Sequence, residues 1–284
     1  MKPLIVTITG PSSSGKTVLS HDLGDRGFKA LISTTTRPKR AGEEEGAAYH
    51  FVDKATFQAL EADNALIESI FYNNNHYGIS RKEAEKSFAQ GKSAALVVEP
   101  HGVEQVTRYC REQGWEILRV FVYNPTDVLI DRMLRRVLDD VQSVPSVPKL
   151  SNDQLTQALD AFRPQIARLT PDEAEKGVQP LVTQAVEQAL GRSLDHFEPA
   201  AEAQVRAIRQ VIHTHGSRMS NVLGFEQKEW VEPALNGQAA YDLVFSSFND
   251  SNREAIVNEV RQEADRLIQD DVPDVRPRRS RRIP

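Results

Sequence analysis

The sequence predicts an α/β fold: a P-loop NTPase-type parallel sheet flanked by helices on both faces, with two mobile subdomains. Three observations carry this. The apolar run Leu4-Ile5-Val6-Thr7-Ile8-Thr9 reads as a buried parallel strand. Gly10-Pro11-Ser12-Ser13-Ser14-Gly15-Lys16-Thr17 follows it and fits G-x-x-x-x-G-K-[ST]. A helical pattern through Val18, Leu19 and Leu23 comes next, so the motif sits in the strand–loop–helix context that it requires.

The loop has a direct physical reading. Its glycines let the backbone turn tightly and aim N–H groups inward at a helix N-terminus, which makes an anion nest. Lys16 reaches the β- and γ-phosphates of a nucleoside triphosphate, and the Thr17 hydroxyl is the candidate Mg²⁺ ligand. Gly10, Ser12, Ser13, Ser14, Gly15, Lys16 and Thr17 are therefore the expected ATP-binding set. The bland alternative is a Gly/Ser-rich turn that matches by accident; the flanking strand and helix argue against it.

At 284 residues the chain holds one large domain or two small ones. Its 39% hydrophobic and 26% charged content is ordinary for a soluble protein, and no apolar run reaches the ~18 residues of a membrane span. Met1-Lys2-Pro3 runs straight into the first strand, which predicts no signal peptide. A single cysteine, Cys110, excludes an intrachain disulfide, fits a reducing cytoplasm and reads as a small core residue. A net charge of −5 argues against a generic nucleic-acid binder, although the tail Arg276-Pro277-Arg278-Arg279-Ser280-Arg281-Arg282 is strongly basic.

Downstream of the loop come Ser33-Thr34-Thr35-Thr36-Arg37-Pro38-Lys39-Arg40-Ala41-Gly42-Glu43, then Gly46, Tyr49 and Phe51, then Ala65-Leu66-Ile67-Glu68, then His76-Tyr77-Gly78-Ile79-Ser80. Arg37 and Arg40 flank a proline on an extended or turning segment, and guanidinium groups bind phosphate through two parallel hydrogen bonds. The order S-x-T-T-R-x-x-R-x-G-E…G-x-x-Y-x-F…E…Y-G-x-S, after G-P-S-x-S-G-K-T, resembles the guanylate kinase family. The match runs from Ile5 to about Gly102 and resumes near the C-terminal end.

That resemblance implies a small, β-rich subdomain, 33–93, which closes over a nucleoside monophosphate. Arg37, Arg40, Tyr49 and Tyr77 would hold its phosphate, with Glu43 in the same motif; Ser33 and Glu68 would face the base. A carboxylate opposite guanine accepts from N1–H and the 2-amino group, whereas adenine offers a lone pair there. Two positions depart from the family pattern. Ile79 stands where a hydroxyl meets guanine O6, a loss of about 1–3 kcal/mol if nothing replaces it. Val97 and Glu99 stand where two acids are typical, so Glu99 alone remains as a candidate base or Mg²⁺-water contact.

Ile117–Tyr123 reads as another core strand, and a helix follows with Thr126 as the expected N-cap. It carries Arg132, Arg135 and Arg136; lid arginines close on the transferring phosphoryl group in such kinases, and Arg135 or Arg136 is favoured here. Val137 to Val205 has no counterpart in the family and reads as a helical insertion, with starts at Ser151 and at the Thr170–Glu173 capping box. His215–Met219 resembles the start of a second lid helix, with Arg218 as a second phosphate-binding arginine. Tyr241–Asp250 resembles the last core strand and the loop that meets the adenine. The expected division is 1–32 P-loop core, 33–93 acceptor subdomain, 94–136 core and lid start, 137–205 insertion, 206–270 lid end and core, and 271–284 a basic disordered tail. The tail reads either as a solvated terminus or as a tether to nucleic acid or an acidic surface.

The implied function is phosphorylation of a purine nucleoside monophosphate, GMP or dGMP first, with ATP and Mg²⁺, by a cytoplasmic monomer or small homo-oligomer. The alternatives are a kinase for a modified or deoxy purine monophosphate and a non-catalytic phosphate-binding module of the same fold.

Overall fold

The computed structural model describes residues 2–39, 43–47, 49–72, 74–195, 201–269 and 281–283. In chain order the elements are β1 (Leu4–Thr9), α1 (Lys16–Gly24), β2 (Phe28–Ala30), β3 (Thr34–Thr35), β4 (His50–Phe51), α2 (Lys54–Ala62), β5 (Leu66–Tyr72), β6 (Asn75–Ser80), α3 (Arg81–Ala89), β7 (Ser93–Val97), α4 (Pro100–Gln113) and β8 (Glu116–Val122). Then come α5 (Thr126–Gln142), α6 (Asn152–Ala167), α7 (Pro171–Leu190), α8 (Glu202–Asn221), a π-helical stretch (Val222–Val231) and α9 (Glu232–Leu235). The chain ends with β9 (Leu243–Phe245), α10 (Arg253–Gln269) and β10 (Arg281–Ile283).

Two compact units result. The first joins Met1–Gly10, Gly15–Val122 and Gly237–Pro284. Its main sheet has the order β10-β9-β8-β1-β7-β2, with every pairing parallel. β1 lies between β7 and β8 and is buried along its whole length, as its unbroken apolar run requires. Leu4, Val6 and Ile8 pack with Leu118, Val120, Val257 and Val260 in one core. Ile8 pairs with Val97, so β7 ends beside the start of the phosphate-binding loop. This is the carboxyl edge of a parallel sheet, where such folds bind ligands. A second sheet, β4-β3-β6-β5, carries the acceptor motifs; β3 and β4 are parallel and the other pairings antiparallel.

The second unit joins Pro11–Ser14 with Tyr123–Asn236 and is helical. Its boundaries make it larger than the 137–205 insertion read from the sequence, because α5 and the end of α8 share its core. Leu134, Val137, Leu159, Ile166, Val182 and Ile212 are buried in that core. Ser151 and Thr170 each cap a helix through a complete capping box, with Gln154 and Glu173 as the third-position partners. Three local readings are corrected. Thr126 is the first residue of α5, and Pro125 takes the cap position. His215 starts no helix: α8 already runs from Glu202, which puts Arg218 in its last turn. Arg281–Ile283, expected in a disordered tail, pairs with β9. The rest of the basic tail lies outside the described residues. Among the described residues no helix is long and apolar enough to cross a membrane.

One polar pair pins the late strands of the first unit. Asp242, 5% exposed, accepts from the Arg119 backbone N–H at 2.7 Å and from its Nε and Nη2 at 3.0 and 2.8 Å. Removing Asp242 leaves the half-buried Arg119 without its main partner, which costs ~1–3 kcal/mol. Asp242→Ala is therefore expected to lower unfolding stability by about that amount in urea titration, well beyond a surface Asp→Ala change.

Candidate functional site

The phosphate-binding loop is a backbone structure. Gly15 holds φ at 102°, and a Cβ there would lie 2.4 Å from Cδ1 of Phe248, so only glycine fits. Ser14 N–H donates to the Pro11 carbonyl at 3.2 Å, which closes the turn. Ser13 adopts a positive φ of 65°. The Lys16 ammonium donates to the Gly10 carbonyl at 2.7 Å, which lays the side chain back along its own loop. Thr17 is exposed. Ser14 Oγ is buried and has no hydrogen-bond partner among the described residues.

Within the helical unit, three side chains hold the loop tip, Pro11–Ser14. Asn124 Nδ2 donates to the Ser14 carbonyl at 2.7 Å, and Arg132 Nη1 donates to the Ser13 carbonyl at 3.0 Å. Ser12 N–H donates to Glu226 Oε2 at 3.1 Å. Of the arginines on α5, Arg135 pairs with Asp131 at 2.7 Å on an exposed surface, where Arg163 of α6 also binds. Arg136 is exposed and Arg218 half-buried. Arg132, which the sequence reading set behind Arg135 and Arg136, is the arginine of α5 that touches the loop among the described contacts.

In the first unit Arg37, Glu43, Tyr49 and Tyr77, expected from the sequence at a phosphate site, lie close together. Arg37 makes a bidentate pair with Glu43, Nη2 to Oε1 at 2.7 Å and Nη1 to Oε2 at 3.0 Å. Its guanidinium lies 5.2 Å from the Tyr49 ring centre and 5.6 Å from that of Phe51. Tyr49 and Tyr77 meet edge to face at 5.9 Å. Glu43 raises the pKa of Arg37 further, so this is a permanent cation beside two phenols. Arg40 lies outside the described residues. Ser33 is half-buried, and its carbonyl receives the His50 N–H at 2.9 Å.

Glu68 and Ile79, read from the sequence as base-facing, lie on β5 and β6. Glu68 pairs with Ile79 across the strands, and Tyr77 and Ile79 share a face of β6. Ile79 is fully buried. Burial, then the charge of Glu99, pushes the Glu68 carboxyl up to about 7. Glu99 precedes α4 without capping it and is itself raised by burial, against the opposing pull of Lys16 and His101. A Cβ on Gly102 would lie 3.5 Å from Glu68 Oε2, which places that carboxyl over the first turn of α4. Cys110 is a core residue as read: burial pushes its thiol up to about 12.

A phosphate-binding loop after the first of a set of parallel strands, with a second small sheet that bears a tyrosine and a buried glutamate on its strands and an arginine and a tyrosine on its connections, defines a P-loop α/β protein of the nucleotide-kinase type. Comparison with known proteins agrees. The model of the family described as Guanylate kinase matches residues 1–174, ending inside α7. The chain belongs to the guanylate kinase family. A guanylate kinase of Sphingopyxis alaskensis is 35% identical over 134 residues, 46% of this chain and 60% of that protein. One from Synechocystis is 31% identical over 176 residues, 61% of this chain and 90% of that protein. The solved structure of guanylate kinase from Anaplasma phagocytophilum is 26% identical, covers 59% of this chain and 85% of its own, and superposes with a TM-score of 0.39. The chain thus spans about 60% of the length of the Sphingopyxis relative.

The raised carboxyls have a measurable consequence. Glu68 keeps its proton in the folded chain up to about 7, while the unfolded chain loses it near 4.5. The native state therefore binds more protons across that window, and stability falls as pH rises through it. The effect is on the order of 1–3 kcal/mol. Urea unfolding at a series of pH values from 4.5 to 8 should show this decline, and Glu68→Gln should flatten it and leave the mutant more stable than wild type at pH 8.

Proposed function

We propose that the chain is an ATP-dependent nucleoside monophosphate kinase whose first acceptor is GMP or dGMP. The observation that carries this reading is the acceptor side of the first unit: Arg37, Tyr49 and Tyr77 in one cluster, with the buried Glu68 on the same small sheet. A guanidinium with two phenol O–H donors suits a phosphate dianion. A buried carboxyl selects a purine by what stands at N1 and C2.

Each residue has a role in this mechanism. Arg37, Tyr49 and Tyr77, joined by Arg40, bind and orient the acceptor phosphate. Its attacking oxygen is already anionic, so no general base is required. Glu43 aligns Arg37 until phosphate takes over the same guanidinium N–H groups. The loop N–H groups and Lys16 take the donor's phosphates, and Lys16 neutralises charge that spreads over the transferring group. Arg132, with Arg135, Arg136 and Arg218 as further candidates, adds positive charge on the donor side. Catalysis is positioning plus electrostatics, in a site closed to water.

The donor set fits magnesium. That ion takes hard oxygen ligands, keeps several waters and needs only one or two protein groups when phosphates supply the rest. Thr17 would hold it, with Glu99 reaching its waters. When bound, the ion would supply positive charge to the donor's phosphates.

Ile79 favours a second reading within the same chemistry. An alkyl group beside Glu68 gives a 6-oxo purine no donor, and so lowers the penalty on a purine with a different 6-substituent. A purely phosphate-binding module has no need of Lys16, which weighs against that alternative.

A coupled ADP-release assay with ATP and Mg²⁺ decides among these, with GMP, dGMP, AMP and 2,6-diaminopurine monophosphate as acceptors. GMP or dGMP should turn over, and Lys16→Ala should lose at least a hundredfold in kcat. Ile79→Ser should raise kcat/KM for GMP by about tenfold to a hundredfold, the worth of one recovered hydrogen bond to O6. Turnover of none of the four, with monophosphate binding intact, would move the assignment to the binding module.

A further inference from the structure

Glu226 is a buried carboxylate seated at a backbone N–H of the phosphate-binding loop. It is 4% exposed. Its Oε2 accepts from Ser12 N–H at 3.1 Å, and its Oε1 accepts from Asn221 Nδ2 at 2.9 Å. Asn221 and Glu226 are five residues apart, the spacing that a π-helix brings into register, and Glu226 lies inside the π-helical stretch Val222–Val231. A buried charge needs partners, and the loop tip gives this one an N–H of the kind that P-loops offer to phosphate.

We propose that Glu226 is an internal anion that plugs the tip of the phosphate-binding loop, so that ATP binds only after the π-helical stretch has withdrawn it. The inference rests on the reading that the loop takes ATP. A carboxylate oxygen and a phosphate oxygen cannot share one N–H, and two anions at that distance repel each other. The two states are therefore exclusive, and the apparent affinity for ATP is the intrinsic one scaled by the unplugged fraction. A preference of about ten to one for the plugged state weakens ATP binding about tenfold.

The moving part is built for the purpose. A π-helix is rare, interrupts the regular hydrogen-bond ladder and recurs at functional sites. Its opposite side here is open: Phe225 is 53% exposed, and Lys228 and Glu229 are exposed as well. That side, with Pro171, Gln179 and His213, lines a groove of about 650 Å³, so the stretch is not packed in on both sides. Lys228 reaches Asp172 at 2.7 Å, an exposed pair that a shift of the helix breaks at little cost. The plug also makes sense of the acceptor side, which has a parallel device: Glu43 occupies Arg37 as Glu226 occupies Ser12.

The test is calorimetric titration of the full chain with ATP and, separately, with GMP. The variants are Glu226→Ala, Glu226→Gln and Asn221→Ala, with Glu229→Gln as the control on the open side. Removing the charge should tighten ATP binding about tenfold or more, Asn221→Ala should tighten it by less, and Glu229→Gln should leave it alone. GMP affinity should be the same in all five proteins. Hydrogen exchange on the wild-type chain gives a readout that does not depend on a variant folding: ATP should speed exchange across residues 222–231. Wild-type or weaker ATP affinity in both Glu226 variants, or exchange in 222–231 that ATP leaves unchanged, overturns the plug while the ATP reading stands. Failure of the wild-type chain and every variant to bind ATP overturns both.

Discussion

The site depends on one constraint: the polar backbone groups of Gly10–Gly15 must find partners in a tight turn. Every group that touches the loop serves that need. Gly10 carbonyl receives Lys16, Ser13 carbonyl receives Arg132, Ser14 carbonyl receives Asn124, and Ser12 N–H finds Glu226. Buried N–H and C=O groups left alone cost more than almost any single contact returns, so the loop conformation is held by its neighbours as much as by its own glycines. Gly15 supplies a dihedral that side chains rarely adopt, and Phe248 fills the space that the absent side chain leaves.

The first unit was largely legible in the sequence because its signals are local. The apolar run of β1, the glycine spacing after it and the Arg–Glu–Tyr motif of the small sheet are each read over a few residues. Arg37, Glu43, Tyr49 and Tyr77 lie together because the segment between β3 and β4 carries the first three and β3 pairs with β6 at Tyr77. Ile79 and Val97 were visible as departures, and the first of them pairs with the buried Glu68 across the strands.

The helical unit was less legible, for a physical reason. Its helices are amphipathic, so their existence and caps at Ser151 and Thr170 follow from periodicity and propensity. Which polar residue of such a helix faces inward depends on tertiary packing. Arg132, Asn124 and Glu226 reach the loop tip from positions 110 to 214 residues distant in sequence, and no spacing rule links them to it. The π-helical stretch Val222–Val231 is also opaque, because a widened turn that buries Glu226 leaves no compositional mark.

The burial of Cys110 has a practical side. Its thiol lies in the core with no exposed surface and keeps its proton at any pH at which the protein is handled. The chain holds no other cysteine. A cysteine introduced on an exposed helix face would therefore be the sole reactive thiol, and a maleimide dye could be attached there without first engineering the native protein to be cysteine-free.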